Sequence, residues 1–95
     1  MTVEELRTEL GSIISSLTSS GFDNVDSGLM DKLEKLAFDT GESGMKEGRR
    51  LLENLSKAIK AIQEGTSKAE SGNIRLTALG FYLKNLPNSE NIEDI

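Results

Sequence analysis

Between Met45 and Leu86, apolar and small residues recur at steps of three and four, twice over. Met45, Gly48, Leu52, Leu55, Ile59 and Ile62 form one series, and Ala69, Gly72, Leu76, Leu79, Leu83 and Leu86 form the next. That spacing sets each series on a single stripe of an α-helix. Gly65 lies between them as a turn residue, and two helices joined so closely fold back as an antiparallel pair. The remainder of the chain must cover the apolar side of that pair.

The upstream residues carry the same period. Val3, Leu6, Leu10, Ile13 and Leu17 mark a first helix, opened by Thr2 and Glu5 in the spacing of a capping box. Gly11 weakens that helix by up to about 1 kcal/mol relative to Ala and is read as the mark of a close crossing. Ser19, Ser20 and Gly21 end it. Phe22 and Val25 should fold under the end of the bundle, with Asp26 or Ser27 capping the next helix. Leu29, Leu33, Leu36 and Thr40 give the second helix its stripe. Gly41 and Gly44 both suit a left-handed helix ending, and Gly44 is preferred because Met45 follows it as an apolar contact. Ser67 and Glu70 repeat the capping-box spacing before the fourth helix, which Leu86-Pro87 closes.

The expected fold class is therefore all-α: a small antiparallel four-helix bundle with short loops and a long hairpin between helices 3 and 4. One domain is expected over 1–87, followed by an acidic tail at 88–95. Ninety-five residues leave room for one core. Aromatics make up only 4% of the chain, too few for a sheet protein of this size.

The chain has no cysteine and no histidine. These absences remove disulfides, thiolate metal sites, cysteine nucleophiles and the commonest general base. No Walker loop, G-x-S-x-G or G-x-G-x-x-G is present, and no carboxylate falls on an apolar stripe where burial would tune it. The reading is a protein without enzymatic activity and without a cofactor. The start Met1-Thr2-Val3-Glu4-Glu5 is acidic where a signal peptide is basic, and no apolar run is long enough to span a bilayer. A soluble cytoplasmic protein with no membrane contact is expected. Asn54-Leu55-Ser56 has the glycosylation spacing but falls within a helix, and is read as coincidence.

Charge is unevenly placed. Residues 1–44 hold 3 basic and 9 acidic side chains, whereas 45–87 hold 8 basic and 4 acidic. Lys46, Arg49, Arg50, Lys57 and Lys60 form a basic face on helix 3 that could meet phosphates. Glu47 and Glu53 interrupt it, with Glu53 and Lys57 spaced as a helical ion pair. The chain as a whole carries a net charge of −5, so nucleic acid is not the expected partner.

Asp23 to Glu34 resembles the twelve-residue calcium loop of EF-hand proteins. Asp23 falls at the first ligand place, Ser27 at the fifth, Gly28 at the sharp turn, Asp31 at the ninth and Glu34 at the bidentate twelfth. Val25 departs from the pattern, because the third place needs an oxygen. The competing reading is a helix cap followed by an acidic first turn. In size and helix count alone, the expected bundle also resembles histidine phosphotransfer domains; the missing histidine excludes that activity.

Second stripes remain on the paired helices: Leu51 and Ala58 on helix 3, and Ile74, Ala78 and Phe81 on helix 4. A helix apolar over more than one face is expected to be the most buried of a bundle. Phe81 is thus expected to pack against helix 1 or 2, with Tyr82 half exposed. The same residues Leu51, Ala58, Phe81 and Tyr82 would otherwise anchor a partner. The leading functional reading is a protein-interaction or regulatory module acting through an apolar helix face, with a homodimer as one form of it. Polyanion binding on the basic face stands second and divalent-cation binding at 23–34 third.

Overall fold

The computed structural model describes residues 2–22 and 25–86, and the expected tail at 88–95 lies outside them. Four helices make up the fold: α1 (Val3–Ser20), α2 (Ser27–Glu42), α3 (Lys46–Gln63) and α4 (Ala69–Lys84). They form an antiparallel bundle in which each helix packs against its neighbours in a ring.

The ends of the helices follow from local chemistry. Thr2 Oγ1 accepts from the Glu5 amide at 3.0 Å while the Glu5 carboxylate accepts from the Thr2 amide at 2.9 Å, so the first capping box forms. Asp26 caps α2 by accepting from the Leu29 amide at 2.8 Å. Asp26→Ala should therefore lower stability by about 0.5–2 kcal/mol, read as a shift in the urea midpoint with an unchanged slope.

At the other end of α2, Gly44 has φ +85°. Its N–H bonds the Gly41 carbonyl and the Met45 N–H bonds that of Thr40, the two bonds of a Schellman ending. Met45 is half-buried against the core, as expected of the residue after the cap. Gly65 ends α3 in the same way, with φ +80° and bonds from Gly65 to Ile62 and from Thr66 to Ala61.

That second ending explains a departure. Ser67 does not cap α4, because its N–H is drawn back to the Ala61 carbonyl at 3.2 Å. Lys68 takes the cap position without a side-chain bond, so the Ser67–Glu70 box does not form.

Leu6, Leu10, Ile13, Leu33, Leu52, Leu55, Ile59 and Leu79 are fully buried and make the centre of the core. The most extensive contact is α2 on α3, exceeding the α3–α4 hairpin that the sequence emphasised. Small buried residues favour it: Ala37 and Thr40 on α2, and Gly48 and Ser56 on α3, with Thr40 Cγ2 directly against Gly48. Phe22 and Val25 do tuck beneath the bundle, the ring of Phe22 lying on Gly72, where an added Cβ would come within 2.8 Å of it. Gln63 secures this segment by donating to the Val25 carbonyl at 2.8 Å.

α1 is held more loosely, touching α4 and α2. Gly11 has no atom within 4 Å of where its Cβ would lie, so it marks no close crossing. Arg7 instead ties α1 to the far end of the chain: its guanidinium donates to the carbonyls of Leu83 at 3.4 Å and Leu86 at 3.1 Å. A cation there adds a donor to carbonyls at the helix end and complements the negative end of α4.

Candidate functional site

α4 meets the core with Gly72 and Leu79, its only buried residues, and with the half-buried Leu76, Tyr82 and Leu83, and Leu86 just beyond its end joins them. The opposite side of the helix points away from the bundle. There Ile74 is 60% and Phe81 62% exposed, seven residues apart on one stripe, with Thr77 and Ala78 between them. This corrects two expectations: Phe81 does not pack into the core, and α4 is the least buried of the four helices. Its main contacts are with α3 and α1, and they leave Ile74 and Phe81 of the second stripe in solvent.

A shallow groove between α1 and α4 continues this surface. Ile14, Leu76, Thr77, Gly80 and Phe81 line it, and Gly80 leaves it open because no atom lies within 4 Å of its Cβ position. Glu70 and Lys84 bracket the exposed stripe at its two ends, and neither makes an ion pair among the described residues.

Tyr82 faces inward, not outward with Phe81. Its hydroxyl would lie 2.7 Å from a Cβ on Gly48, so the ring fills the space left by that glycine. Desolvation pushes its phenol above the usual value of 10.0, opposed by a Gly48 backbone hydrogen bond and helped by the Glu47 charge. The fold thus favours the neutral phenol. The stability it contributes is complete below pH 10 and is lost as pH rises through the raised value. Tyr82 is the single tyrosine, and there is no tryptophan. Phenolate absorbance therefore reports it alone, and should titrate above the midpoint of the urea-unfolded chain.

Leu51 is half-buried against the core and Ala58 is buried. Neither joins the α4 surface. Phe38, which the sequence did not single out, is 62% exposed on α2, beside a mixed-charge groove against α3. As a lone exposed ring it requires no partner.

The basic face of α3 is internally compensated. Arg49 pairs with Glu53 at 3.2 Å, Arg50 with Glu47 at 3.1 Å, and Lys60 with Glu34 of α2 at 3.2 Å. The Arg50 bond holds the Glu47 carboxyl below its ordinary range. Glu53 turns back to Arg49, so the expected Glu53–Lys57 pair does not form. Lys46 and Lys57 are exposed on the same helix.

Of the calcium-like stretch, Asp23 lies outside the described residues. Ser27, Asp31 and Glu34 all sit within α2. A helix spreads these side chains along a rod, where a calcium loop would wrap them around one point. Asp31 is exposed, and Glu34 is committed to Lys60. Among the described residues no three acidic side chains gather as a metal site. Among the same residues, no helix is long and apolar enough to cross a membrane.

No family model, no curated protein and no solved structure matches the chain.

Proposed function

We propose that the chain is a non-catalytic protein-interaction module that works through the outer face of α4. The observation that carries this reading is the pairing of Ile74 and Phe81, two large apolar side chains left in solvent one above the other. Scattered exposed apolar residues are ordinary, but a stripe continued by an apolar groove is the form a docking surface takes. The absence of histidine and cysteine from the sequence supports a role without catalysis. Polyanion binding on α3 is less well supported, because three of its five cations already face carboxylates.

The test compares the native chain with an Ile74→Glu/Phe81→Glu variant. Both positions are on the solvent side of a helix, so at a concentration where the native chain is monomeric the variant should keep its helical circular dichroism and its melting temperature. Used as bait with extract of the source cells, the native chain should retain proteins that the variant loses. Equal retention by both would remove α4 as the docking surface. Collapse of the variant's fold would show that the two side chains serve the core instead.

A further inference from the structure

We infer that the occupant of the α4 face is a second copy of this chain, docked antiparallel about a two-fold axis passing between Thr77 and Ala78. This rests on the reading of α4 as the docking surface and adds its partner. The stripe is self-complementary. Glu70, Ile74, Thr77, Ala78, Phe81 and Lys84 share the outer side of the helix, spaced at threes and fours. A two-fold axis at the midpoint sets Ile74 of one copy against Phe81 of the other, twice. It also places Glu70 within one residue of the other copy's Lys84, again twice. Neither charge has an ion-pair partner among the described residues.

The centre of the stripe holds Thr77 and Ala78, small enough for two helices to approach. The larger side chains lie on either side, roughly 10 Å apart along the axis at 1.5 Å per residue. An antiparallel pair also aligns opposite helix dipoles. A parallel pair would oppose Glu70 to Glu70 and Lys84 to Lys84, so the charges select direction as well as partner. One helix face is a small interface, of the concentration-dependent kind that falls below about 1,200 Å².

Sedimentation equilibrium of the full chain over a wide concentration range should show the average mass climbing from monomer toward dimer. Phe81→Glu should weaken the dimer by more than about tenfold. Glu70→Lys and Lys84→Glu should each weaken it by about threefold to tenfold, and the double reversal should restore it, because the pair is then rebuilt with its signs exchanged. The chain has no native cysteine, so single introduced thiols report geometry without background. A short bismaleimide should link Thr77→Cys to itself. It should fail to link Glu70→Cys to itself, yet link Glu70→Cys to Lys84→Cys in a mixture.

A mass that stays monomeric at every concentration would overturn the inference, as would efficient self-linking of Glu70→Cys. A monomer that still retains other proteins through Ile74 and Phe81 would remove the second copy and keep α4 as the docking surface. A monomer whose retention ignores those residues would remove both.

Discussion

Leu79→Ala should lower the unfolding free energy by about 2–5 kcal/mol, whereas Phe81→Ala, two positions on, should change it by less than about 1 kcal/mol. Leu79 is fully buried and is the one large side chain of α4 that is. Its truncation removes apolar contact with the core and leaves a cavity that the surrounding leucines only partly refill. Phe81 is the larger residue, and size alone would predict the opposite ranking. Its exposure means that the unfolded chain gains little by hydrating it. Urea denaturation of both variants at a protein concentration where the native chain is monomeric checks the contrast. Comparable losses at the two positions would place Phe81 in the core.

The second large effect concerns Gly48. Gly48→Ala should destabilise the bundle by about 1–3 kcal/mol even though Ala favours helix. A Cβ there would lie 2.7 Å from the Tyr82 hydroxyl and 2.9 Å from Thr40 Cγ2. Thr40 cannot retreat: it is fully buried, and its hydroxyl is bonded to the Leu36 carbonyl at 2.6 Å. The strain must therefore pass to the Tyr82 ring or to the separation of α2 and α3. Gly11→Ala makes the control. It fills open space in a helix interior and should raise stability by up to about 1 kcal/mol. The two alanines, measured by the same urea midpoint, should move it in opposite directions. In a Tyr82→Ala background the Gly48→Ala penalty should shrink, because half of the obstruction is gone.

These cases mark how far the sequence could be read. Helix endings were legible because they are local. Thr2 with Glu5, Gly44 with Met45, and Gly65 each specify a bonding pattern within six residues, and each forms. The main seams were legible because Leu52, Leu55, Ile59 and Leu79 repeat with the helix and are buried together. Which of several apolar stripes finds a neighbour was not legible. Ile74 and Phe81 keep the helical spacing as faithfully as Leu76 and Leu83 do. Only the arrangement of the other helices decides which set is covered. The available signal was that Glu70 and Lys84 stand on the outer stripe itself, since charged residues are seldom fully buried.

Other departures have the same origin in competition. Ser67 had the right spacing to cap α4, but the ending of α3 used its amide first. Glu53 had three basic neighbours one turn away, Arg49, Arg50 and Lys57, and took Arg49.

The Arg7 bonds to Leu83 and Leu86 span 76 and 79 residues, the longest loops that any hydrogen bond described above closes. The α2–α3 and α3–α4 hairpins can meet across a few residues of turn. The Arg7 bonds can form only after the end of α4 has arrived. The start of the bundle and the close of α4 are thus secured in one event, by a single guanidinium.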